Sequence, residues 1–182
     1  MKADSPALNE SFPSDVIPLQ EILDDLHSGN VDKFDLAMHK LQNLSGVTKQ
    51  KAIDEILPFL SNSDPEKRCD AIELLLMIDH HNTLDLILVL LNDPVDYVRN
   101  CVCEELDFHS IMDDKVIDPL TASLLNDPDP DVRYQAAVLL GKIGNSEVIP
   151  ALEWAASNDQ GVNYEGDSIS SRARWAINEI NK

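Results

Sequence analysis

The chain has 182 residues, 43% of them hydrophobic and 26% charged, which is enough apolar material for one folded domain or one short array of repeats. Thirty-three acidic against 14 basic residues give a formal net charge of −19, a balance that opposes binding to phosphate backbones and anionic membranes and favours basic partners. Three cysteines, Cys69, Cys101 and Cys103, make no disulfide framework, no run approaches the roughly 18 apolar residues of a membrane span, and the N-terminus lacks the apolar core of a signal peptide, so the expected location is cytoplasmic.

In chain order, residues 1–14 mix Ser, Pro, Asp and Asn and read as a flexible tail, leaving 15–182 as a single domain. A first helix places Val16, Leu19, Ile22, Leu23 and Leu26 at helical spacing and stops at Gly29 and Asn30. A second, near Asp32–Leu44, puts Phe34, Ala37, Met38, Leu41 and Leu44 on one face and breaks at Gly46. No stretch alternates as a strand does, so the class is all-α.

From residue 62 the sequence repeats itself. NSDPEKRCDAIELLLMID, NDPVDYVRNCVCEELD and NDPDPDVRYQAAVLLGKIG each join an Asx and an Asp-Pro to an Arg and an apolar helix, and ISSRARWAINEI is a looser fourth copy. Arg68, Arg99, Arg133 and Ser170 are equivalent, separated by 31, 34 and 37 residues. An apolar helix precedes each copy (KAIDEILPFL, TLDLILVLL, VIDPLTASLL, VIPALEWAA). One repeat is therefore a helix A, a turn and a helix B, with B helices near 65–79, 95–108, 130–144 and 168–181. Asp of Asp-Pro can cap helix B, and Pro in the first turn sacrifices no intrahelical bond. The Arg column reads as a structural ladder, reaching turn carbonyls or an acid of the adjacent repeat.

Asp-Pro…Val-Arg…Ala-Ala…Leu-Leu-Gly-Lys-Ile-Gly, over Asp127–Gly144, resembles the short HEAT-like repeat of phycobilin lyase subunits and bacterial scaffold proteins. The resemblance spans about residues 47–182 and implies a right-handed α-solenoid of about four to five HEAT-like helical pairs. The ending with Tyr164, Gly166, Asp167 and Trp175, after the inserted NDQGVNYEGDSIS, is similar to bacterial HEAT-repeat proteins encoded beside toxins. That likeness implies an immunity protein neutralising a basic toxin.

Counted from the Arg, positions +3, +7 and +10 of helix B carry the core: Ala71, Leu75, Ile78; Val102, Leu106, His109; Ala136, Leu140, Ile143; Ala173, Ile177, Ile180. Positions +1, +5 and +9 should point away from it, on the concave side. There Glu73, Met77, Glu104, Phe108, Tyr134, Val138, Trp175 and Glu179 form the expected partner-binding column, aromatics amid acids as in interface hot spots. The alternatives are that other segments cover these side chains and that acidity serves solubility alone.

Chemistry finds little purchase. His80 and His81 are adjacent and diverge on a helix, Cys101 and Cys103 lack a second cysteine pair, and no phosphate loop or nucleophile elbow occurs. Glu105 and His109, four apart, interrupt the apolar pattern of their repeat and could be half a catalytic or metal site or a plain ion pair. The expectation is a non-enzymatic scaffold without cofactor, binding another protein with a basic surface and neither nucleic acid nor membrane. The alternative, implied by the first resemblance, is a chromophore lyase-like or other small-molecule transferase subunit.

Overall fold

The computed structural model describes residues 19–182 apart from His27; the expected tail over 1–14, and Val16, lie outside the described residues. Within them the chain is helical, with no strand beyond one isolated bridge between Val162 and Ser168. The helices are α1 Leu19–Leu26, α2 Val31–Gln42, α3 Gly46–Ile56, α4 Pro65–Leu88, α5 Asp96–Phe108, α6 Ile117–Asn126, α7 Pro130–Ile143, α8 Ile149–Asn158 and α9 Ile169–Ile180.

The B helices begin as the Asp-Pro chemistry requires. Asp64 Oδ1 accepts from Glu66 N at 3.0 Å, and Asp129 Oδ1 accepts from Asp131 N at 2.9 Å and Val132 N at 3.3 Å, each carboxylate closing amides that lack an intrahelical partner. Pro65 and Pro130 follow as first helical residues. In the last repeat Ser168 takes the cap. Gly144 ends α7 at φ +76°, a left-handed conformation that a side chain would strain.

Repeat one departs from a plain helix–turn–helix. Its B helix and the following A helix are one element, α4, bent at Asp79, whose backbone leaves the helical region at φ −164°, ψ 67°. The buried Thr83 repairs the break: its hydroxyl lies 2.9 Å from the Asp79 carbonyl and 3.2 Å from that of Leu75, and can donate to either. Lys49 pairs with the Asp79 carboxylate at 2.9 Å. The fused stretch Pro65–Asn92 is long and apolar enough to cross a membrane by length and composition. That corrects the expectation that no such run exists. More than half of its most apolar window is packed inside the protein, the mark of a core helix that passes the same test.

Packing follows the repeats: α3 lies on α4, α6 on α7 and α8 on α9, while α5 packs on α7 and α7 on α9 between successive B helices. The N-terminal pair α1–α2 covers α4 through α2. Ala71, Val102, Ala136 and Ala173, the small +3 residues, are all buried, as are Leu75, Leu106 and Leu140 at +7. Ile177, the fourth +7 residue, is half-exposed, and at +10 only Ile78 is buried, His109, Ile143 and Ile180 being half-exposed. Burying each large aliphatic side chain supplies about 1.5–3 kcal/mol. No helical pair could hold its core alone, so the stack is the folding unit. α7 and α9 approach closely, so that a Cβ on Gly141 would stand 2.7 Å from the Ala176 Cβ and 2.8 Å from its Cα.

Candidate functional site

The Arg column is a ladder with two kinds of rung. Each guanidinium turns one nitrogen back to its own turn: Arg68 Nη1 to the Asn62 carbonyl at 2.7 Å, Arg99 Nη1 to that of Asp93 at 2.9 Å and Arg133 Nη1 to that of Asp127 at 2.8 Å. The opposite edge reaches the turn of the next repeat. Arg68 meets Asp93, Arg99 meets Asp127 and Arg133 meets Asp159, each at 2.7 Å and largely buried. The same aspartates accept a backbone amide two residues on, from Val95, Asp129 and Gly161. Their carboxylates are held by a cation and an amide together, so burial is compensated. The first turn has no Arg before it, and there the equivalent residue is the neutral Asn62, which accepts from Asp64 N at 2.9 Å.

The expected partner-binding column divides. Phe108, 61% exposed, and Glu104 stand in the open, and Glu73, Trp175 and Glu179 are half-buried. Met77, Tyr134 and Val138 are buried, which corrects the expectation that this whole column faces outward. For Tyr134 at +1 and Val138 at +5 the reason is lateral. Successive B helices lie side by side, so the flank at +1 and +5 is partly covered by the next B helix rather than open to water. At α7–α9 the contact is explicit: the Arg172 guanidinium, at +2 of its helix, lies 4.7 Å from the centre of the Tyr134 ring at +1 and 5.0 Å from that of Trp175. It also donates to the Tyr134 hydroxyl, which lies 3.2 Å from an Asp167 carboxylate oxygen.

The insertion between α8 and α9 is a folded loop. The buried Asn163 organises it, its Oδ1 accepting from the amides of Glu165 at 3.1 Å and Asp167 at 2.7 Å. Gly166, at φ +89°, closes the turn by donating to the Asn163 carbonyl. The loop docks on the start of α7, where Tyr164 N donates to Asp131 Oδ1 at 2.6 Å. Its backbone is thus fixed while the Tyr164 side chain is 79% exposed. Tyr97, on the first turn of α5, is 55% exposed.

Both phenols are raised above their usual value, each by its own surroundings. Burial first, then the proximity of Cys69, Cys101, Glu66 and Glu104, raises the Tyr97 phenol above its usual value. The Glu165 carboxylate, and more weakly Glu104 and Asp131, raises that of Tyr164. Glu104 itself accepts from Asn100 Nδ2 at 2.8 Å. Lys67 pairs with Asp70 at 3.0 Å, Lys142 with Asp107 at 2.5 Å, and Arg172 donates to Tyr134. Tyr97, two positions before the Arg, falls outside the +1, +5 and +9 column that the helical register singles out. The Asx six residues before each Arg was the visible signal for the ladder's acceptors.

Glu105 Oε2 and His109 Nε2 sit 3.4 Å apart, both shielded from solvent and without a hydrogen-bond partner. No third ligand joins them, and no group of three or more His, Cys, Asp or Glu among the described residues is placed to hold a metal ion. The His80 and His81 rings lie 4.0 Å apart, tilted by 42°, beside the Asp79 bend; burial, then the neighbouring His81, lowers the His80 value. Complete burial pushes the Cys103 thiol up to about 12. Cys101 shares a hydrogen bond with Cys69 across the α4–α5 contact, and that bond together with burial raises it further.

A family model for HEAT repeats matches residues 53–128 and 111–165. A comparison with curated proteins finds no match.

Proposed function

Given that the chain belongs to the HEAT-repeat family, a family of repeat scaffolds for protein interaction, we propose that it is a non-enzymatic scaffold that captures a protein with a basic surface on the acidic face of its B helices. The observation that carries this reading is the exposed run along α5, where Tyr97, Glu104 and Phe108 face outward. Bare aromatics among acids on rigid elements are what a desolvated interface centre needs. The net charge of −19 would steer a basic partner toward that face and make association sensitive to salt.

The sharpest form of the reading is an immunity protein, which blocks a basic toxin by covering its charged surface. The test is co-expression with a toxin encoded by an adjoining gene, scored by rescue of growth and by co-purification. Glu73→Lys with Glu104→Lys should abolish rescue and flatten the salt dependence of binding. Full rescue by that double variant overturns the acidic-face reading.

A further inference from the structure

We propose that Cys69 and Cys101 are a site of oxidative modification, where a hydroperoxide closes the two thiols to a disulfide that ties α4 to α5. This goes beyond the partner-binding reading and does not depend on it.

The register of the stack brings these two residues together. Between α7 and α9, Tyr134 at position +1 of one B helix touches Arg172 at position +2 of the next. Between α5 and α7 the same two positions are Asn100 and Gln135, and between α4 and α5 they are Cys69 and Cys101. The α4–α5 contact therefore carries a thiol on each side. The two helices pack on each other, and across their contact the thiols share a hydrogen bond. Both cysteines are free and buried, 8% and 9% exposed. Cys103 does not compete. It lies two residues beyond Cys101 on α5, about 200° around the helix, and is fully enclosed. Of the three possible pairings, Cys69 with Cys101 is the one that joins facing sulfurs.

A disulfide suits this place better than a thiolate does. The hydrogen bond to Cys69, then burial, raises the Cys101 thiol, and Glu105 and Glu104 add to the effect, so negative charge on the sulfur is opposed. The oxidised pair is neutral and leaves no charge buried. In the reaction one sulfur, deprotonated in passing, attacks the O–O bond of hydrogen peroxide, keeps one oxygen as a sulfenic acid and releases the other as water. The second sulfur then displaces the retained oxygen, which also leaves as water. Two thiols and one peroxide become one disulfide and two waters, and the two electrons lost by sulfur reduce the O–O bond. A raised thiol makes the first step slow, so the site answers sustained oxidation rather than a brief pulse. Cys69 and Cys101 are 32 residues apart, and the ring they close encloses the Asp79 bend of α4. The bond thus fixes repeat one against repeat two across the point where α4 leaves helical geometry.

The test exposes the folded full chain to hydrogen peroxide for hours, alkylates the remaining thiols in urea, and identifies linked tryptic peptides by mass. In the wild type the peptide that begins at Cys69 should be joined through Cys101 to the one that follows Arg99, with Cys103 alkylated. Cys103→Ala should form the same link, and Cys69→Ser and Cys101→Ser should form none. The oxidised wild type should melt about 5–15 °C above the reduced protein, because the link restrains the unfolded chain, and a phosphine reductant should reverse the shift. Three thiols still free in the folded wild type overturn the proposal, even if a link forms in urea. A link through Cys103, or separate oxidation of Cys69 and Cys101 to acids without a link, overturns it as well. The wild-type readout stands even where a serine variant fails to fold.

Discussion

Arg133 grips Asp159 with two nitrogens, Nε on Oδ2 at 2.7 Å and Nη2 on Oδ1 at 3.2 Å, while its third nitrogen holds the turn from which its own helix departs. One side chain thus fixes the entry of its helix and the position of the next repeat. Arg99 does the same with Asp127, at 2.7 and 2.8 Å.

Truncating one partner should therefore cost more than a surface ion pair would. Asp127→Ala leaves the Arg99 guanidinium buried and short of its acceptor, and should destabilise the protein by about 3–5 kcal/mol. Replacing both residues with apolar side chains of similar volume should cost less than the single change. Urea denaturation of the two variants measures the difference; equal losses would mean that the pair's geometry, and not an orphaned charge, sets the stability.

Gly141→Ala should cost about 1–3 kcal/mol, because the new methyl meets the backbone of Ala176 on α9 rather than a side chain that can swing away. The measurement is the thermal midpoint of unfolding. Gly144→Ala should also destabilise, by a different route, since its φ of +76° strains any residue with a Cβ even though space is open there.

Acid should weaken the fold in two windows. The His80 value is lowered by burial, so its unfolded form binds protons more readily and a little stability is lost as pH falls through about 6.5. Asp159 is pushed up by burial but held down more strongly by Arg133 and the Gly161 amide, for a net lowering. Asp79 is lowered in the same way by Asn82 and Lys49. The stability they contribute is complete above the unfolded value near 4 and is lost as pH falls through the folded values. Chemical denaturation from pH 8 to pH 3 should show a shallow slope first and a steeper one below about 4.5. Asp159→Asn should flatten the second window.

Cysteine reactivity should follow burial. Cys103, raised to about 12 and fully enclosed, should resist iodoacetamide at pH 8 in the folded protein and react at once in urea. Peptide mass analysis before and after unfolding reads this directly.

What the sequence revealed depended on period. The Asp-Pro, the Arg and the small +3 residue recur in register, so the B helices, their caps and their inner face were legible before any coordinates. The outer face was not, because whether position +1 is open depends on the residue that the neighbouring helix places beside it. Tyr134 is buried since Arg172 lies on it, and those residues are 38 apart in the chain. The Asp79 bend was equally hidden, since no Gly or Pro marks it and a buried threonine makes it tolerable. Tyr164 was visible as part of an irregular insertion, but its position against α7 depends on a bond to Asp131 that no local pattern announces.

The neutral Asn62 at the head of the Arg–Asp ladder bears on how such a chain can change its length. Every donor sits in the earlier repeat and every acceptor in the later one, with the terminal positions Asn62 and Ser170 uncharged. Excising residues 93–126 would bring Arg68 into sequence with Asp127, and that pair would inherit the geometry of the two it replaces. A cut at this register removes a whole cation–anion unit and strands neither charge, whereas a cut between an Asp and its following Arg alters the reach of the pairs on both sides. The ladder is thus a grammar for recombination, marking where units can be lost or duplicated with the electrostatics still balanced.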